Sequence, residues 1–238
     1  MPYYFYGFDW TYLVLVVPCI ILSLVASASV NSTFKRYSRQ ISSRRITGAE
    51  AAQRVLSMNG VTGVRIERIS GNLTDHYDPK TNVIRLSESV YDNPSTAAIG
   101  VACHEAGHAV QYATSYAPIH LRAAIIPVTN LGSKLAMPLI LLGIVLGALS
   151  DMSYFFVYAG IACFALSLVF QLVTLPVEFN ASHRALQAID QGGLLTEEEQ
   201  KGARKTLTAA AMTYVAATAV SLAQLLRLLL IFGRRDND

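Results

Sequence analysis

The stretch "WTYLVLVVPCIILSLVASASV", Trp10 to Val30, contains no charged residue and has about the length that a helix rising 1.5 Å per residue needs to cross a bilayer core. Its flanks are asymmetric. Before it, "MPYYFYGFD" carries only Asp9; after it come Lys35, Arg36, Arg39, Arg44 and Arg45, with no acid until Glu50. A secretory signal has its positive charges ahead of the apolar run, so the reversed order predicts a retained span over 10–30. Positive charge stays inside, so the N-terminus is expected outside and the segment after Val30 in the cytoplasm. Trp10, Tyr12 and the tyrosines before them are expected as aromatic anchors at the outer interface.

Composition agrees with a membrane chain. Of 238 residues, 53% are hydrophobic and 15% charged, against about 25% charged in ordinary soluble domains. The net charge of +3 is small and its positives are clustered, which suits orientation in a lipid bilayer. Basic and aromatic residues are not interleaved as a strand-binding surface requires, so no nucleic-acid partner is expected. Cys19, Cys103 and Cys163 have no metal-ligand spacing, and no disulfide framework is indicated.

Residues 31–134 read as a small cytoplasmic α+β unit. Thr47 and Glu50 have capping-box spacing ahead of apolar Ala51, Val55 and Leu56, and Asn59-Gly60 stops that short helix. "GVRIERIS" and "NVIRLSE" alternate as strands do, and the turn-rich "HYDPKTN" joins "LTDHY" to "VIRLS" as a hairpin. Apolar runs resume at 135–150, which begins upstream near Pro127, and at 154–175; the short link "DMS" makes them an αα-hairpin that leaves and re-enters the cytoplasmic side. A cytoplasmic segment, 176–206, follows. "DQGG" ends a helix, and Thr196 and Glu199 form a second capping box. The helix they open carries 207–232, a fourth transmembrane or membrane-packed helix. Ala210, Ala211, Ala216 and Ala217 suit it for packing, while Gln224 and Arg227 inside it and Arg234 and Arg235 beyond it run against an in-to-out span. The fold class expected is a mainly α membrane protein with three to four transmembrane helices and a small α+β cytoplasmic unit. No internal repeat or low-complexity segment is seen.

Between the first strands and the second apolar run lies "STAAIGVACHEAGHAVQYA", Ser95 to Ala113. Ser95 is a good N-cap, and the pattern predicts a helix to about Ala113, before Pro118. His104 and His108 are four apart, so both imidazoles leave one face and can bind one Zn²⁺. Glu105 is placed to take a proton from a water on that zinc, provided three protein ligands leave a fourth position open. Gly107, Ala106 and Ala109 allow another backbone to approach closely. The third ligand must share the compartment. "PVEFNASHRAL" supplies Glu178 just past the returning span, with Pro176 at the entry of a helix. His183, His120 and Asp190 are alternatives; His183 lies five residues from Glu178, roughly 140° around a helix, so the two should not share one ion. His76, beside a turn, reads as a surface or strand residue.

"NVIRLSESVYDNPSTAAIGVACHEAGHAVQ", the first span with its basic tail, and "LPVEFNASHRAL" together resemble the YugP-type neutral zinc metallopeptidases, which are bacterial membrane proteins. The likeness runs over nearly the whole chain. More distantly the chain is similar to HtpX-type membrane proteases and the CAAX prenyl endoprotease. The resemblance implies a zincin-like metalloprotease unit with one Zn²⁺ per chain, His104, His108 and Glu178 as ligands and Glu105 as the general base. It also implies a protein of the bacterial cell membrane; with the charge asymmetry around the first span, the expectation is a multi-pass protein whose site faces the cytoplasm. In the HtpX-like pattern an acid stands four beyond the glutamate ligand; here Ser182 stands there and would orient a histidine more weakly.

The expected activity is zinc-dependent hydrolysis of peptide bonds in a protein or peptide substrate. A donor for the oxyanion is needed besides the metal, and His183, Tyr112 and Arg184 are candidates. The strand "VIRLS" could pair an extended substrate along its edge. Two rivals are an intramembrane protease, disfavoured by the polar "SESVYDNPST" ahead of the histidines, and a non-enzymatic membrane scaffold around a structural zinc, which would need a fourth ligand such as His183 or Cys103.

Overall fold

The computed structural model describes residues 4–5, 8–147 and 152–233. Two short antiparallel strands, β1 (Tyr4–Phe5) and β2 (Phe8–Asp9), precede a π-helical turn at Tyr12–Val16 and helix α1 (Val17–Tyr37). Pro18 has no N–H to give to the turn before it, and that turn is the widened one. Then follow α2 (Gly48–Met58), β3 (Arg65–Ile69), β4 (His76–Asp78), β5 (Val83–Ser87), α3 (Thr96–Ala113), α4 (Ala117–Leu146), α5 (Ser153–Gln191) and α6 (Glu197–Phe232). The chain is mainly helical. Four helices are long and apolar enough to cross a membrane: Tyr12–Tyr37, Ala117–Leu146, Ser153–Gln191 and Glu197–Phe232. Tyr3, Tyr6, the end of the 135–150 run, Asp151 of the link, Arg234 and Arg235 lie outside the described residues.

The chain divides into two compact units. The first comprises 1–25, 121–175 and 213–238. Its α4 and α5 pack so closely that a Cβ on Gly160 would lie 2.7 Å from the Ala136 carbonyl oxygen, as small residues allow between membrane helices. Ile140, Val157, Ile161 and Leu228 are buried together, while Val14, Leu131, Val145 and Phe155 face outward. So much outward apolar surface on long helices is suited to lipid and not to water. The Arg227 guanidinium lies 5.1 Å from the centre of the Tyr12 ring, a cation–π contact.

The second unit comprises 26–120 and 176–212. The Thr47 hydroxyl accepts from the Glu50 N–H at 3.2 Å and the Glu50 carboxylate accepts from the Thr47 N–H at 2.8 Å, the reciprocal cap that starts α2. The apolar side of α2 lies on α3, and Leu56, Ile84, Leu86, Ile99, Ile189 and Leu194 are fully buried in one core. The sheet is mixed, ordered β3-β5-β4, with β3 parallel and β4 antiparallel to β5. This corrects the expectation that "VIRLS" offers an edge. That strand is β5, the central one: β3 pairs along its whole length, β4 pairs with Val83–Arg85, and the Ser87 N–H donates to Asp75 Oδ1 at 2.7 Å. Its ladder groups are already used, and the edges of the sheet belong to β3 and β4.

Two helix boundaries also differ from the sequence reading. The helix of the second apolar run, expected to begin near Pro127, starts at Ala117 as α4 and runs unbroken past Pro127 and Pro138. Pro176, expected to open a helix, instead lies inside the 39-residue α5. A proline inside a helix loses one backbone bond, and in long membrane helices surrounding packing tolerates that loss. The glutamate two residues on therefore rides on the same helix as the third apolar run.

Candidate metal centre

Helix α3 begins where Ser95 Oγ accepts from the Ala98 N–H at 3.3 Å and ends at the Thr114 C-cap. Within it His104 and His108 stand one turn apart on one face, ring centroids 4.7 Å apart and nearly perpendicular. What lets another helix reach that face is Gly107: a Cβ there would lie 2.8 Å from the Ala181 carbonyl oxygen of α5. Since the obstacle is backbone, Gly107→Ala is expected to push α3 and α5 apart, at about 1–3 kcal/mol as for other overpacked sites. Thermal unfolding and zinc stoichiometry of the purified variant would both fall.

The close approach sets Glu178 against the histidine pair. Glu178 Oε2 is 3.2 Å from His104 Nε2 and 3.7 Å from His108 Nε2. Ligand atoms of these three residues all lie within 4.8 Å of one another, the one such group among the described residues. Glu178 is 2% exposed and His108 9%. Each ring's other nitrogen is held: His104 Nδ1 lies 3.1 Å from Ser182 Oγ, and His108 Nδ1 lies 3.0 Å from Gln111 Oε1. Two imidazole nitrogens and one carboxylate oxygen, converging with their outer atoms engaged, are a donor set that fits Zn²⁺ and leaves a fourth position for another ligand. Burial pushes His108 toward its neutral form, but the negative carboxylates of Glu178 and Glu105 outweigh it and raise its pKa.

Glu105, the residue between the two turns, is 8% exposed, and no hydrogen-bond partner for its carboxylate is found among the described residues. A second carboxyl feels its charge. Burial raises the pKa of Asp75 despite hydrogen bonds from the Ser87 N–H and hydroxyl, and Glu105 raises it further.

The remaining sequence candidates separate. Ser182 bonds His104, and Arg184 donates from Nε to Asn180 Oδ1 at 2.8 Å with its guanidinium over the Tyr116 ring. His183 faces outward. Tyr112, one turn beyond His108, has its ring 5.7 Å from Tyr77 and 5.2 Å from His120. Asp190 accepts from Gln200 Nε2, and exposed His76 contacts the Thr74 carbonyl. None of His183, His120, Asp190 or His76 joins the converging group. Buried Cys103, whose thiol pKa burial pushes well up, lies in the apolar core. Gln111, Asn180 and Asp75 were not singled out from the sequence. The signal for Gln111 was its position three beyond His108, on the same helical face.

A sequence model of the family described as "Putative neutral zinc metallopeptidase" matches residues 12–233. A curated relative from Bacillus subtilis (strain 168), named "Putative membrane protease YugP", is 46% identical over 228 residues, 95% of this chain and 99% of the relative. No solved structure matches the chain. The family match spans the histidine helix, the Glu178 turn and the four long apolar helices, and the chain belongs to this zinc metallopeptidase family.

Proposed function

We propose that this chain is an active zinc metallopeptidase of the bacterial cell membrane. One Zn²⁺ per chain is held by His104, His108 and Glu178, and the chain hydrolyses peptide bonds of protein substrates on the cytoplasmic side. The observation that carries the reading is the convergence of three ligand atoms within 4.8 Å beside a buried glutamate that is not one of them. When bound, zinc supplies a Lewis acid that acidifies a water and polarises a carbonyl. Glu105 takes the proton of the attacking water and returns it to the leaving amine. Tyr112, one turn beyond His108 on the same helix, is the donor assigned to the oxyanion.

A structural zinc would call for a fourth protein ligand. Cys103 is buried in the apolar core and His183 is exposed, which favours the open site over the scaffold. The histidines ride on α3, which packs with α2 and the sheet of the second unit, and this favours a zincin-like unit outside the bilayer over an intramembrane site. Lys35, Arg36, Arg39, Arg44 and Arg45 after the first span support an N-terminus outside, with 31–134 and 176–206 cytoplasmic. The runs 10–30, 135–150, 154–175 and 207–232 then form the spans.

The test is metal removal. Detergent-purified protein is expected to cleave an unfolded test protein, to stop when a chelator strips its zinc, and to recover when zinc is returned. Zinc bound at one per chain with no cleavage of a broad panel of unfolded and membrane proteins would turn the reading toward a structural metal.

A further inference from the structure

Gln111 is 0% exposed, and each end of its amide has a partner. Its Nε2 lies 2.8 Å from the Val177 carbonyl oxygen and 3.0 Å from Asn180 Oδ1; its Oε1 lies 3.0 Å from His108 Nδ1. A backbone carbonyl can only accept, so the amide nitrogen must face Val177 and the amide oxygen must face His108. The side chain of Asn180 is oriented by the same logic. Arg184 Nε can only donate and lies 2.8 Å from Asn180 Oδ1, so that oxygen receives both Arg184 and Gln111. Donation therefore runs from Gln111 to Asn180 Oδ1, where Arg184 donates as well, and the Gln111 oxygen left at the other end is an acceptor that demands a proton on His108 Nδ1.

We propose that Arg184, Asn180 and Gln111 form a relay that fixes neutral His108 as its Nδ1–H tautomer, so that its Nε2 lone pair faces the metal position. This rests on the metal reading above and goes beyond it in assigning three positioning residues, none of which belongs to the converging group of His104, His108 and Glu178. His104 has no such constraint, because its partner, Ser182 Oγ, can donate or accept. The relay has a second consequence. Val177 and Asn180 flank Glu178, so Gln111 also ties the histidine helix to the very turn of α5 that supplies the carboxylate.

The test uses the full chain in detergent with two readouts. The first is the ¹⁵N signature of the neutral His108 ring in metal-free protein, which is expected to be the Nδ1–H form in the wild type and to change to the Nε2–H form in Gln111→Met. The second is zinc affinity by chelator competition, expected to fall about 10–100-fold in Gln111→Met, the range for lost outer partners of metal-bound histidines. Asn180→Asp retains an acceptor for both Arg184 and Gln111 and is expected to keep the tautomer and wild-type affinity. Asn180→Leu is expected to lower zinc affinity less than Gln111→Met and to keep the Nδ1–H ring, because the Val177 carbonyl still orients the Gln111 amide. A Gln111→Met protein with the Nδ1–H ring and unchanged zinc affinity overturns the relay. If the wild type binds no zinc yet its Nδ1–H ring depends on Gln111, the relay stands and the metal reading fails.

Discussion

Glu105→Gln is expected to lower peptide cleavage about 10²–10⁴-fold, the usual contribution of a positioned general base, while zinc stays bound at the wild-type level. Glutamine keeps the shape of a side chain that is 8% exposed, so the fold has little reason to change, but its amide cannot take a proton from water. Zinc is retained because the three converging donors are His104, His108 and Glu178, and none is altered. The measurement is turnover of an unfolded test protein together with metal content. Cleavage within about tenfold of wild type would move the base elsewhere. The nearby carboxyl would then be Asp75, whose pKa is raised by burial and by the charge of Glu105 itself.

Glu178→Gln is expected to release the metal. The substitution removes the sole anionic donor of the group and leaves two imidazoles facing an amide where the carboxylate oxygen lay 3.2 and 3.7 Å away. Losing a direct ligand should exceed the 10–100-fold cost of losing an outer partner, so zinc affinity is expected to fall by more than about 100-fold and cleavage with it. Chelator competition reads the first effect, and the shape-preserving glutamine separates it from loss of packing. Retention of one tightly bound zinc in the variant would mean that another residue completes the site, and His120 or His183 would be the next to substitute.

Local chemistry explains what was readable beforehand. A cap is a contact three residues long, so Ser95, the Thr47–Glu50 box and the Thr196–Glu199 pair could be recognised before any coordinates, and each makes its bond. Hydropathy over some twenty residues is equally local, and each of the four long helices carries most of one apolar run found in the sequence. Helical periodicity likewise put His104 and His108 on one face.

Other features depend on residues far apart in the chain. Ser182 reaches His104 across 78 positions and Gln111 reaches Val177 across 66; no periodicity links them, and their meeting depends on how closely α3 and α5 cross at Gly107. The centrality of β5 depends on a parallel partner, β3, which the alternation of "VIRLS" does not specify. Continuity of α5 through Pro176 depends on packing, since the local preference of proline is to end or open a helix. The sequence alone determined most of the elements, the apolar runs and one face of the candidate metal centre, because those follow from spacing along the chain. Tertiary structure decided the opposite face, the outer partners of both histidines and the strand order, because these follow from which backbones can approach each other.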